Sequence, residues 1–181
     1  MNTFTLPYSV NIDGQEYAVR TDYRVILEIL IMLRDPDLTD GDKEEALLRM
    51  FYRDRPPDRK KAVKACLDFI DPKPASRPGP ELVDWEYDFD LLAGPVNRNL
   101  GFECREAKEL HWRTFVGAFL EIGPESLFSR VLRVRHKLKT GRKLEKHERQ
   151  LLNHSRELVV VPSRYSEEEQ EILNAWQSPR I

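Results

Sequence analysis

The amino-acid sequence predicts a mainly α-helical protein of about seven to eight helices with a short N-terminal β-hairpin. Two observations carry that expectation. Downstream of Asp22, apolar residues recur at intervals of three and four in one window after another, the spacing that lines a single face of a helix. Ahead of them Tyr8, Val10 and Ile12 alternate, as do Tyr17 and Val19, on either side of Asp13-Gly14. Alternation around such a pair marks two strands joined by a tight turn, because glycine accepts the positive φ that a primed turn requires. A lone two-stranded hairpin is marginal, so it must dock on other elements.

Taken in order, Thr21 or Asp22 can cap a first helix over 22–34, with Val25, Ile26, Ile29, Leu30 and Leu33 on its buried side and Asp35-Pro36 as its stop. Thr39 with Asp42 has the form of a capping box and opens a second helix, striped by Ala46, Leu47, Met50 and Phe51 and ended by Pro56-Pro57. Asp58 can cap a third, whose Ala62, Val63, Cys66, Leu67 and Ile70 face inward while Arg59, Lys60, Lys61 and Lys64 face water. From Asp71 to Pro80 four prolines and a glycine exclude regular structure. The expected division is therefore 1–71 for the hairpin and front helices, 72–83 for a Pro-rich connector and 84–181 for a rear helical part, the whole also compatible with one continuous domain.

In the rear part, Asp88 or Asp90 can cap a helix that Gly94-Pro95 is expected to kink or interrupt. A strongly apolar helix is expected from Arg105 to Ile122, with Leu110, His111, Trp112, Phe115, Val116 and Phe119 as its structural core. Gly123-Pro124 breaks it and starts another, Leu127 to about Leu138, so that the two should form a helical hairpin. A helix after Gly141 carries Leu144, His147, Leu151 and Leu152 on one side, and Leu158 to Val161 reads as a short strand or extended packing segment. Ser166 with Glu169 forms a second capping box, opening a last helix with Ile172, Leu173 and Trp176 on one face.

Composition narrows the function classes. With 40% hydrophobic and 33% charged residues and a net charge of -2, the chain fits an ordinary folded domain, not a disordered, collagen-like or membrane protein, and has no overall field that would draw nucleic acid. Cys66 and Cys104, the two cysteines, exclude a disulfide framework and a zinc ligand set. Its N-terminal residues lack a signal-peptide pattern, and the longest apolar run, Val25 to Leu33, is broken by Glu28. A cytoplasmic protein with no membrane partner is expected.

Few residues invite chemistry. His147 and His154 lie two helical turns apart, too far to share an ion, and His111 reads as a buried hydrogen-bonding side chain. Asp84, Asp88 and Asp90 with Glu81 and Glu86 cluster carboxylates without the spacing of a calcium loop, and pairing them with His111 gives only a third-ranked hydrolase reading. There is no phosphate loop and no nucleophile motif. No catalytic, cofactor-binding or metal-ligating residue is assigned, and no cofactor and no enzymatic activity are expected. From Arg130 to Arg149 nine basic residues face only Glu145 and Glu148. Within this run Arg130, Arg133, Arg135, Lys139 and Arg142 are the candidate partner-binding residues, for phosphates or an acidic protein. Without interleaved aromatics to stack bases, nucleic acid is the weaker of the two.

The stretch from Phe89-Asp90 through Leu110-His111-Trp112-Arg113-Thr114-Phe115 to Ser129-Arg130-Val131-Leu132-Arg133-Val134-Arg135 resembles a family of small phage and prophage proteins that looks like the tail-assembly chaperones of long-tailed phages. The hairpin and Thr21-Asp22-Tyr23-Arg24 agree more loosely, so the likeness covers about Tyr8 to Pro162. The chain departs from the pattern where Trp112-Arg113 replaces an aromatic doublet and where Gly94-Pro95 falls in a helix. The resemblance implies a non-catalytic morphogenesis protein in the bacterial host cytoplasm, binding the helical tape-measure protein or another tail component during tail assembly. Self-association would suit a protein that coats a long rod in many copies. The alternative is a binding module for nucleic acid or an acidic partner, working through 130–149.

Overall fold

The computed structural model describes residues 4–71 and 79–162. Strands β1 (Ser9–Ile12) and β2 (Gln15–Ala18) pair antiparallel with Val10 opposite Tyr17. Asp13 and Gly14 both take positive φ, 53° and 88°, as a primed two-residue turn demands. The hairpin docks through Val10, Ile12, Tyr17 and Val19, all buried.

Three helices follow: α1 (Tyr23–Leu33), α2 (Asp40–Phe51) and α3 (Arg59–Ile70). Each starts where a side-chain oxygen satisfies an otherwise orphaned amide. Asp22 accepts from the Arg24 amide, Thr39 and Asp42 form a complete capping box, and Asp58 accepts from the Lys61 amide. On α3 the inward residues are Ala62, Cys66, Phe69 and Ile70, whereas Leu67, expected inside, is exposed. Phe69 takes its place by meeting Phe51 edge-on at 5.2 Å.

The rear half holds α4 (Phe89–Leu100), a 3-10 turn at Cys104–Glu106, α5 (Trp112–Leu120), α6 (Leu127–Lys139), α7 (Lys146–His154) and the single turn α8 (Arg156–Val159). Four sequence expectations are corrected here. α4 runs unbroken through Gly94-Pro95. Pro95 removes one intrahelical donor, and burial of Leu92, Ala93 and Val96 on one face holds the helix together across that gap. α5 is shorter than 105–122, because residues 107–111 are drawn out of the helix by bonds to the front half. α5 packs on α4 and α1 more than on α6, which it meets through Phe119 and Phe128 at 5.7 Å, so α5 and α6 do not form a simple hairpin. Residues 156–159 form a helical turn, so the strand or extended reading fails at Leu158 and Val159, whereas Val160 is extended as expected. The helix expected from Ser166 lies outside the described residues.

One apolar cluster extends from Val10 to Phe128 and draws on both sides of the proline-rich stretch. Its centre is an aromatic stack, with Tyr23 parallel to Phe115 at 4.4 Å and Trp112 at 6.0 Å from Phe115. Trp112 also donates its indole N–H to the Ile70 carbonyl at 3.0 Å. Trp112 and Phe115 are buried, while Val116 and Phe119 are half-buried at its edge.

Candidate functional site

Two polar knots and one cleft position the chemistry of the molecule. The first knot joins residues 20–24 to 107–113. The Tyr23 amide donates to the Leu110 carbonyl at 2.9 Å and the Trp112 amide to the Thr21 carbonyl at 2.7 Å. Asp22 accepts from the amides of Arg24 and Leu110, each at 3.0 Å, and from the Arg24 guanidinium at 2.7 and 2.8 Å. Burial alone would raise the Asp22 carboxyl, but these bonds outweigh it and hold the group below its ordinary value. Burial, by contrast, pushes the Tyr23 phenol and the Cys66 thiol upward.

His111 belongs to the same knot and caps α5. Its Nδ1 accepts from the Arg113 amide at 3.0 Å, and its Nε2 lies 2.8 Å from the Pro7 carbonyl. An acceptor at one nitrogen and a carbonyl at the other assign the neutral ring with its proton on Nε2. Both nitrogens are thus engaged by backbone, and His111 pairs with none of the carboxylates between Asp84 and Asp90. Among the described residues no group of three His, Cys, Asp or Glu side chains is arranged to hold a metal ion.

The second knot overturns part of the basic-segment reading. Arg135, expected to face a partner, is 4% exposed and forms a bidentate ion pair with Asp88 at 2.6 and 2.8 Å. The same guanidinium donates to the carbonyls of Leu82, Leu158 and Val159, at 2.8, 2.6 and 2.9 Å. Asp88 does not cap α4 with its side chain; it accepts instead from the Asp84 amide at 2.8 Å. Arg135 is buried because α6 places it one turn beyond Val131 on the inward face. Lys137 is likewise committed, bonding Glu148 at 2.7 Å and Glu145 at 3.3 Å. Glu148, not the exposed His147, is the inward residue of α7, and contact with Lys137 keeps its carboxyl below the ordinary range despite burial.

Of the other candidates, Arg133 is exposed and touches the Pro124 carbonyl at 3.3 Å, and the Lys139 ammonium donates to the Glu81 carbonyl. Arg130 and Arg142 are exposed without an ion pair among the described residues, as are Lys143, Lys146 and Arg149. The structure therefore divides the basic run into two internal members and a fringe of solvated ones.

Above the Arg135–Asp88 pair opens a cleft of about 510 Å³. Its lining is largely apolar, with Leu82 and Val83 from the segment before α4, Leu138 from α6, and Val159, Val160 and Val161, but Asp84, Glu81 and Arg135 also contribute to it. Arg34 and Lys139 stand at the rim. Arg34 donates to the Val83 carbonyl at 2.7 Å and meets the exposed Glu81 carboxylate at 3.3 Å. A concave apolar surface edged by a few charges is suited to the side chains of an amphipathic segment. No sequence motif announces it, because its walls come from four separated stretches of chain.

Fold and site together define a mainly helical protein whose buried charges form structural pairs, one of which, Arg135–Asp88, adjoins a largely apolar cleft. Residues 3–78 match a family model described as Bacteriophage Gp15 protein, which relates the front part of the chain to a family of phage proteins. No curated protein and no solved structure matches the chain. Among the described residues no helix is long and apolar enough to cross a membrane.

Proposed function

We propose that this is a non-catalytic phage morphogenesis protein, acting as a tail-assembly chaperone that binds the helical tape-measure protein in the host cytoplasm. The observation that carries the proposal is the match of residues 3–78 to a phage protein family. The cleft between α1, α6 and α8 supports it by supplying an apolar surface that accepts one edge of an amphipathic helix. A long client that exposes an apolar stripe aggregates unless it is covered, and covering must be reversible, so modest affinity repeated over many copies suits the task.

Co-expression with the tape-measure protein of the same phage genome tests this. The client is expected in the soluble fraction with no added nucleotide or metal, and the complex is expected to persist in high salt, where exposed charge contacts are screened. An insoluble client would refute the proposal. A second reading, binding of phosphates or an acidic partner, is favoured by one feature: the exposed cations Arg130, Arg142, Lys143, Lys146 and Arg149, which form no ion pair among the described residues. Reversing the charge of Arg142, Lys143 and Arg149 separates the two. Client rescue that survives this change supports the cleft, and rescue lost with it, or tight DNA binding that weakens steeply with salt, supports the basic fringe.

A further inference from the structure

The cleft lies between two corners of opposite charge. One is the end of α1, where Pro36 lines the cleft and Asp35 and Asp37 flank it. The other is the end of α6, where Leu138 and Lys139 line the cleft and Gly141, at φ 66°, turns the chain back so that the Arg142 amide donates to the Lys137 carbonyl at 2.8 Å. Within the cleft the charges cancel. Glu81 meets Arg34 at 3.3 Å and Arg135 is held by Asp88, which leaves one acid, Asp84, and one base, Lys139. At the corners they do not. From Asp35 to Lys43 four aspartates stand against one lysine, and none of the four forms an ion pair among the described residues. Asp40 and Asp42 suit the positive start of α2, but Asp35 and Asp37 follow the negative end of α1, whose last turn has no basic residue and whose capping Arg34 is taken by Glu81. Across the cleft Arg142, Lys143, Lys146 and Arg149 are exposed without an ion pair among the described residues, while Lys137 takes both Glu145 and Glu148. α8 adds one charge of each sign, Arg156 and Glu157. Between the corners Leu138 and Val160, 45% and 41% exposed, present apolar groups to solvent.

We propose that a second copy of this chain occupies the cleft, in a two-fold pair in which the end of α6 from each copy, Leu138 foremost, enters the cleft of the other. A two-fold axis gives every contact its reciprocal. Arg142 and Lys143 of each copy therefore meet Asp35 and Asp37 of the other, and Leu138 and Val160 lie in an apolar centre between two ion-pairing flanks. A face that carries both signs with an apolar strip between them is complementary to itself in this way, whereas a partner of uniform charge is repelled by one corner or the other. The proposal concerns the chain alone and holds or fails independently of any client. Its consequence for binding is direct: a client that uses the cleft must first split the pair.

Sedimentation of the purified full chain at low salt, over concentrations up to about 1 mM, tests the proposal. Monomer and dimer are expected and nothing larger. Asp37→Lys and Arg142→Glu each set like charges against one another at both corners, and each should raise the dissociation constant of the dimer at least about tenfold. Mixed in equal amounts, the two variants should regain a dimer close to wild type in strength, because the reversed acid of one copy then meets the reversed base of the other. Leu138→Asp should abolish the dimer in every background. Asp37 and Arg142 are exposed, so their substitution spares the fold, and unchanged thermal melts confirm it. A wild-type chain that stays monomeric overturns the proposal, as does a dimer that either charge variant keeps unchanged or a mixture no tighter than the variants alone. Oligomers that keep growing with concentration overturn it too, since they mean head-to-tail contact in place of a closed pair.

Discussion

Replacing Arg135 with Met removes the guanidinium that gathers Asp88, Leu82, Leu158 and Val159 around one point, while keeping most of the side-chain volume. Two costs follow. Asp88, 2% exposed, is left as a buried carboxylate without its counter-ion, a loss of about 3–5 kcal/mol when one member of a buried pair is deleted. Three backbone carbonyls also lose a donor at 2.6 to 2.9 Å. Because the bonds to Leu82 and Leu158 are only partly buried, water replaces part of what those carbonyls lose, and the total stays near ~4 kcal/mol. Against a typical stability of about 5–15 kcal/mol the variant remains folded but melts roughly 8–16 °C lower. Urea unfolding followed by circular dichroism supplies the free energy. The decisive measurement is a double-mutant cycle with Asp88→Leu: with the charge gone, Arg135→Met should cost at least ~2 kcal/mol less than in the wild-type background. A single-mutant loss below ~1 kcal/mol, or additive effects in the cycle, would refute the claim that this pair organises the cleft.

Asp22→Asn should destabilise at neutral pH by about 1–3 kcal/mol, through loss of charge-assisted bonds to Arg24 and a weaker cap. The folded carboxyl lies below its unfolded value, so its contribution is complete above the unfolded pKa of about 4 and fades as pH falls through the folded one. Wild type and variant should therefore converge in acid-unfolding titrations, and a gap unchanged at low pH would contradict this. His111→Gln should cost no more than ~1 kcal/mol, since an amide can both cap α5 and donate to Pro7, whereas His111→Ala should cost about 1–3 kcal/mol by thermal melts. Cys66 should resist thiol reagents until the protein unfolds, because burial both hides the thiol and disfavours thiolate; rapid labelling under native conditions would count against the packing of α3.

Local signals proved the most legible. Asp13-Gly14 fixes the hairpin, and Thr39, Asp42 and Asp58 mark helix starts, since both depend on side chains reaching only two or three residues along the chain. What escaped were the non-local commitments. His111 is not among the preferred capping residues, and its second bond goes to Pro7, 104 residues away, so nothing local marks it as the start of α5. Arg135 disappears within a run of basic residues when charge is counted along the chain. Its position after Phe128 and Val131 on a three-four rhythm was the available clue, and Glu148, in step with Leu144, Leu151 and Leu152, offered the same one. Charge counting treats such residues as surface, whereas helical phase shows which of them turn inward. The cleft was illegible because no single stretch supplies more than a few of its walls.

The clasp between Asp22 and Leu110 also sets a schedule for biosynthesis. Asp22, Arg24 and Tyr23 reach partners 83 to 88 residues further on, so the start of α1 is not clasped when it first leaves the ribosome. At roughly 5–20 residues per second the ribosome delivers the partners at residues 107–110 some 4–18 seconds later. Until then the Tyr23 ring, sealed in the finished protein, lacks Phe89 and Phe115, the two rings it stacks on, although α1 can already pack on α2. A protein proposed to shelter an unfinished tail component thus itself passes through an interval in which it needs shelter.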